Sequence, residues 1–183
     1  MEKIPVKVVW VKDINSKIHS SVMVAMDELV GSAGRVDYSS VKKFNEDYQK
    51  LISKCKKVMT SHKVKSRIQP SGYWKVGDIL NEFVGQNESN FRFTNYRVAF
   101  QRDLDVTDSY IGIIMDFPKF FKENEVINGL AMSYYFELLL KARILLKTNK
   151  FDSEKEKLIN LHKEGRLPDH KSYRKMLKEL VSK

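Results

Sequence analysis

Residues 39–58, SSVKKFNEDYQKLISKCKKV, carry the pattern that decides the fold class. Val41, Phe44, Tyr48, Leu51, Ile52, Cys55 and Val58 stand at i, i+3, i+7, i+10, i+11, i+14 and i+17. At about 100° of turn per residue this spacing gathers all seven on one stripe, so it predicts an amphipathic helix. The other face holds Lys42, Lys43, Lys50, Lys54, Lys56 and Lys57, with Asp37 and Ser39 as N-cap candidates.

Toward the N-terminus, Ile18, Val22, Ala25, Met26 and Leu29 are spaced for another helix, ended by Gly31 and Gly34. Before it, PVKVVWV alternates as an extended segment, either one strand laid along the helical body or an ordered arm. Toward the C-terminus, SHKVKSRIQPSG is polar, basic and broken by Pro70 and Gly72, the best linker in the chain. Tyr73, Trp74, Val76, Ile79, Leu80, Phe83 and Val84 predict a third helix, followed by a loop at GQNESN. A short helix is expected over Thr94–Leu104. Thr107 caps the next one, with Asp108 in its first turn and Pro118 ending or kinking it. Val126–Leu146 reads as one long apolar helix. Asp152 or Ser153 then caps a final pair of helices split by Gly165 and Pro168.

The expected fold is therefore all-α: a multi-helix bundle with an internal helix-turn-helix-like segment and at most one short N-terminal strand. Three segments order it. Residues 1–70 form a strand or arm and a helical hairpin with a basic face, 71–148 a helix-turn-helix-like core, and 149–183 a basic C-terminal helix pair. Together they make one compact unit. With 42% hydrophobic residues in 183, ten Phe and eight Tyr among them, the chain has enough apolar surface for a core.

Charge is the main pointer to function. Lys and Arg total 33 against 23 Asp and Glu, a formal net charge of +10. Such an excess concentrates polyanions, and each phosphate neutralised releases condensed counterions. The charge is also segregated. Residues 42–67 hold nine Lys and Arg against two acids, and residues 141–183 hold thirteen against six. The stretch 75–125 is net acidic, six basic against nine. The expected contacts are to phosphates, from Lys42, Lys43, Lys50, Lys54, Lys57, Lys63, Lys65 and Arg67, and from Lys171, Arg174, Lys175 and Lys178.

Catalytic constellations are missing from the sequence. His19, His62, His162 and His170 show no metal-ligand spacing, and one cysteine, Cys55, allows no intramolecular disulfide or CxxC knuckle. Lysines around Cys55 would lower its thiol pKa if it were exposed, but a half-buried helix position is the plainer reading. Asp152 to Lys155 in FDSEKEK has the acids of a PD-(D/E)xK nuclease without its strands. Arg166 and His170 in GRLPDH stand where a helical ribonuclease of the HEPN type would need an Arg and a His on one helix. Only three residues intervene, and one is Pro168. No cofactor and no metal are expected.

The strongest local pattern is FQRDLDVTDSYIGIIMDF, residues 100–117. Leu104 would end a first helix, Asp105 take the turn, and Val106 plug the core. Thr107 would cap a second helix carrying Ser109 and Tyr110 and anchored by Ile111 and Ile114. That second helix carries Asp108 and Asp116 and no Lys or Arg before Lys119, so it lacks the side chains that read base edges.

Three stretches resemble, in order, the N-terminal helical domain of the YhcG-like nuclease family. They are Tyr73-Trp74-Lys75-Val76-Gly77; then Ser109, Ile111, Ile114, Met115 and Phe117; then Leu130-Ala131-Met132-Ser133-Tyr134-Tyr135 with Leu138 and Leu139. The resemblance covers residues 71–146. Met132-Ser133-Tyr134 departs from the family's Trp-Ser-His, and the family's nuclease domain has no counterpart. It implies a DNA-associated helical module without cleavage chemistry.

The expectation is a non-catalytic nucleic-acid-binding protein, DNA before RNA, regulatory or architectural, and a candidate homodimer. The alternatives are a protein-interaction or dimerisation module built on Met132–Leu146, and a helical RNase using Arg166 and His170. No stretch approaches the ~18 apolar residues of a membrane span, and the N-terminal apolar run is too short for a signal peptide. A cytoplasmic location is expected, nucleoid-associated if DNA is the partner.

Overall fold

The computed structural model describes residues 5–10, 20–25, 38–87, 91–94 and 96–182. In chain order the elements are β1 (Pro5–Trp10), β2 (Ser20–Ala25), α1 (Tyr38–Ser61), β3 (Lys63–Val64), β4 (Arg67–Ile68) and α2 (Pro70–Asn87). There follow β5 (Phe91–Thr94), α3 (Tyr96–Leu104), α4 (Asp108–Phe120), α5 (Met132–Lys147), α6 (Phe151–Lys163) and α7 (His170–Val181). Helices dominate the described chain, as the apolar periodicity predicts.

The allowance of one strand was too small. β1, β2 and β5 form an antiparallel sheet in that order, with Val8 opposite Val22 and Val24 opposite Phe91. The helix expected through Val22 and Ala25 is a strand over Ser20–Ala25. Its residues SSVMVA fit a period of two as well as the longer period, and the β-branched valines favour the pleated backbone once partners lie on both sides. Residues 15–19 and 26–29 of that expected helix lie outside the described residues. The supposed linker is a β-hairpin: Lys63 pairs with Ile68 and Val64 with Arg67. Lys65 and Ser66 turn it with φ of 44° and 67°, the all-positive pattern of a two-residue turn.

Helix ends shift for local reasons. α1 starts at Tyr38, so Ser39 lies inside its first turn rather than capping it; Asp37 lies outside the described residues. The long helix expected from Val126 starts only at Met132. A 3-10 turn over Glu123–Glu125 precedes it, and the Asn128-Gly129 pair interrupts the apolar run. The intervening loop is fixed by Ile127 N–H donating to the Tyr135 hydroxyl at 2.8 Å and Ser71 N–H donating to Asn128 Oδ1 at 3.1 Å. Lys150, not Asp152 or Ser153, is the N-cap of α6. Asp169 caps α7 by accepting from Lys171 and Ser172 N–H.

The chain clusters into two units interleaved along the sequence: Met1–Val58 with Asp78–Gly112, and Met59–Gly77 with Ile113–Lys183. In the first, the α1 stripe is core: Tyr48, Leu51, Ile52 and Cys55 are buried with Leu80, Phe83, Ala99, Phe100, Leu104 and Ile111. The Tyr48 ring stacks on Phe100 at 6.0 Å and tilts against Phe83 at 6.3 Å. Its hydroxyl donates to the buried Asp103 carboxylate at 2.9 Å. In the second unit, Phe117, Phe121, Tyr135 and Phe151 form an aromatic cluster with centroids about 5–6 Å apart. Trp74 Nε1 donates to the Phe121 carbonyl at 2.6 Å. Lys155 lies across Phe121 and is neutralised by Glu125 at 3.1 Å. Leu138, Leu145, Leu158, Tyr173 and Leu177 complete this core.

Cys55 is fully buried, so its surrounding lysines do not activate it. Burial outweighs the field of Lys54 and pushes the thiol up to about 12, from 9.0. An acid whose pKa is raised by folding stabilises the fold fully below its unfolded pKa and loses that contribution as pH climbs toward the folded one. Stability should therefore fall between pH 9 and 12 by about 1.4 kcal/mol per unit from this group alone. Urea titrations across pH 8–11 will show a shallower decline in Cys55→Ala. A thiol reagent at pH 8 will label the native protein no faster than global unfolding allows.

Candidate nucleic-acid interface

Because the apolar stripe of α1 faces inward, its opposite face is delivered to solvent. Lys43, Lys50, Lys54 and Lys57 recur at i, i+7, i+11 and i+14 and are exposed along one side of the helix. Gln49, Lys50, Ser53, Lys54 and Lys57 line a shallow open depression there. Lys50 shares its charge with Asp47 at 3.3 Å, and no described carboxylate pairs with Lys54 or Lys57. The side chain of Lys42 lies outside the described residues.

The hairpin presents a second basic surface. Lys63, Lys65 and Arg67 are exposed, and no described carboxylate pairs with them. Its base is held firmly. Gln69 N–H donates to the His62 carbonyl at 2.9 Å, and Gly72 lies so close that a Cβ there would stand 2.7 Å from His62 Cβ and 3.0 Å from Ile68 Cγ2.

On α7 the four expected cations divide. Lys171 and Lys178 are exposed, and no described carboxylate forms an ion pair with either ammonium. Lys175 pairs with Glu179 at 3.8 Å. Arg174 is shared with the fold: its Nε lies 3.4 Å from Oε1 of Glu137, which is only 6% exposed, and His170 Nε2 lies 3.6 Å from the same oxygen, while most of the Arg174 side chain stays exposed. Glu137 clamps α7 onto α5. The sequence signal for it was an acid inside the apolar run FELLL. Tyr173 is core, 3% exposed, so it offers no stacking surface.

α3 and α4 are joined by a three-residue turn. Asp105 takes the left-handed conformation at φ 57°, as the spacing predicts, and Val106 N–H donates to the Gln101 carbonyl at 2.9 Å. Leu104 and Ile111 are buried, Val106 and Tyr110 half-buried, and Thr107 and Ser109 exposed. The backbone carbonyl of Thr107 accepts from Tyr110 and Ile111, which starts α4. The exposed start of α4 is acidic at Asp108, and Lys119 is taken by Asp116 at 3.0 Å. Arg97 of α3 supplies the nearest cation, 3.5 Å from where a Cβ on Gly112 would stand.

Arg166 and His170 are not on one helix: α6 ends at Lys163 and α7 begins at His170. Arg166 pairs with Glu164 at 3.0 Å in the turn between them. Among the described residues, no three His, Cys, Asp or Glu side chains gather to hold a metal ion, and no helix is long and apolar enough to cross a membrane. Compared with protein-family models, curated proteins and solved structures, the chain matches none.

Proposed function

We propose that the chain is a non-catalytic nucleic-acid-binding protein that holds DNA through phosphate contacts of its basic helices. One observation carries this reading. Lys54 and Lys57 stand beside Lys50 on a single exposed face, and no described carboxylate pairs with Lys54 or Lys57, so the face keeps a positive charge that phosphates can neutralise. The hairpin cations add to it in the same unpaired state. The α3–turn–α4 segment acts as a helix-turn-helix-like support and leaves base reading to other elements, since α4 exposes Asp108 and ties up Lys119. The resemblance to the YhcG-like helical domain favours DNA over RNA and a cytoplasmic, nucleoid-associated role.

Electrophoretic shifts on duplex DNA, single-stranded DNA and RNA across a salt series test this. With about six phosphates contacted, affinity should fall roughly 10³-fold between about 50 and 200 mM salt. The triple variant Lys50→Gln, Lys54→Gln, Lys57→Gln should flatten the log–log slope by about 2.7 for a duplex. Absent or salt-insensitive binding of the wild type rejects the reading.

A second reading rests on α5. Leu140 and Ile144, four residues apart, are 47% and 44% exposed although the helix is otherwise strongly apolar. Such a face suits self-association, which light scattering on the wild type and on Leu140→Lys will measure. The two readings coexist if a homodimer doubles the basic surface.

A further inference from the structure

We infer that the β3–β4 hairpin is a major-groove probe that gives the protein preference among duplex sequences, a role that rests on the DNA-binding reading and adds to it. Lysines spread along a helix neutralise phosphates and carry no sequence information. The hairpin has a different chemistry. Its register places Val64 opposite Arg67 and Lys63 opposite Ile68, and directly opposed residues of an antiparallel pair project from the same face. The Ile68 face is the inward one, packed on Gly72 at the start of α2. The other face therefore presents Val64, 53% exposed, beside the exposed guanidinium of Arg67. Among the described residues Val64 is the most exposed large hydrophobic side chain.

That pair matches a base edge. Arginine donates a bidentate pair to guanine O6 and N7, and an apolar side chain contacts the thymine methyl; both groups lie in the major groove. The dimensions agree. Strands about 4.8 Å apart make a two-stranded ribbon that enters a groove about 12 Å wide and is excluded from one about 6 Å wide. The turn points the same way. Lys65 and Ser66 both hold positive φ, where asparagine followed by glycine is the favoured pair. Keeping a lysine and a serine there costs stability, and such costs persist where the side chain is used. Lys65 at the tip reaches a flanking phosphate. The firm base described above holds the ribbon in one pose, so little freedom is lost when it enters the groove.

The full chain is used to enrich its preferred duplex from a randomised DNA pool, and anisotropy then compares that duplex, its 7-deazaguanine analogue and the corresponding single strand. The wild type should enrich a guanine-containing site and lose roughly three- to tenfold on the 7-deaza duplex, which keeps O6 but lacks the N7 acceptor of the bidentate contact. Arg67→Lys keeps the charge and the salt slope but loses the guanine preference, because an ammonium cannot bind two acceptors in one plane. Lys65→Asn with Ser66→Gly raises the melting temperature by a few degrees while lowering the salt slope by about one. If an enriched duplex binds Arg67→Lys as tightly as the wild type, or is indifferent to 7-deazaguanine, the hairpin is not the reader. If the wild type binds duplex with a steep salt slope but enriches no sequence, the inference falls and the DNA-binding reading stands. If the wild type binds no nucleic acid, both fall.

Discussion

Gly77→Ala should destabilise the protein by about 3 kcal/mol or more, the upper end for overpacking a closely packed contact. A Cβ at this position would stand 1.9 Å from the Ile114 carbonyl oxygen and 2.9 Å from both Ile114 C and Pro118 Cδ. Two of those atoms are backbone, so no side-chain rotation relieves the clash and α2 must move off α4. The reason for so close an approach lies in α4 itself. Pro118 has no N–H, and residue 118 would ordinarily donate to the carbonyl of residue 114. That carbonyl is thereby released from its i+4 partner, and the bare Cα of Gly77 occupies the space beside it, where a Cα–H···O contact contributes modestly. The helix runs two residues beyond the proline and stops at Phe120.

The same helix supplies the control. Gly85 also lies within α2, but a Cβ there meets nothing within 4 Å. Gly85→Ala should stabilise by about 0.5–1 kcal/mol, because alanine restricts the unfolded chain and favours helix. Thermal unfolding separates the two: a loss of roughly 6–12 °C for Gly77→Ala against a gain of a few degrees for Gly85→Ala. A Gly77→Ala protein that melts within 2 °C of the wild type would falsify the packing argument at this crossing.

What could be read from the sequence follows from the range of the interactions concerned. The α1 stripe was legible because every residue in it obeys one local period, and Tyr48, Leu51, Ile52 and Cys55 are buried as that period requires. The Asp105 turn was legible because few residues tolerate positive φ and the flanking Leu104 and Val106 fix its place. β2 and β5 were not, since SSVMVA and FRFT become strands only by pairing with each other and with β1, partners up to about seventy residues away. The hairpin was misread for a narrower reason. Lys65 and Ser66 are not the residues that announce a two-residue turn, so the composition looked like a linker.

The candidate interface divided similarly. Counting charges located the two basic regions but not which cations are available. Arg174 belongs to a clamp on Glu137, and Lys175 and Lys50 have acidic neighbours, while Lys54, Lys57, Lys63, Lys65 and Arg67 keep an unneutralised charge among the described residues. Pairing across thirty or more residues, as between Glu137 and Arg174, leaves no periodic trace. The YWKVG string has a physical role in the fold: Trp74 donates to the Phe121 carbonyl and Gly77 admits α4, so both residues serve the same helix crossing.

Asp103→Ala should cost about 3–5 kcal/mol, the range for stripping one partner from a buried charged network. Asp103 is 4% exposed and accepts hydrogen bonds from the Tyr48 hydroxyl at 2.9 Å, from Arg102 Nε at 2.9 Å and from Arg102 NH2 at 2.8 Å. Burial first, and then the adjacent Asp103 carboxylate, hold the Tyr48 phenol well above its ordinary ionisation range. Removing the carboxylate leaves a phenolic hydroxyl at a fully buried site and a guanidinium whose NH1 is already buried without a partner. The penalty reflects the loss of a charged acceptor from a buried network more than the net value of the lost bonds. Tyr48→Phe, which leaves the Asp103 carboxylate with its Arg102 partners, should cost less, about 1.5–3 kcal/mol for a hydrogen bond to a charged acceptor. The double variant should then be less destabilised than the sum of the two singles, with a coupling of at least about 1 kcal/mol. Urea unfolding of the four proteins closes that cycle. Strict additivity would mean that Tyr48 and Asp103 act on the fold independently and that the network linking α1 to α3 carries no cooperative energy.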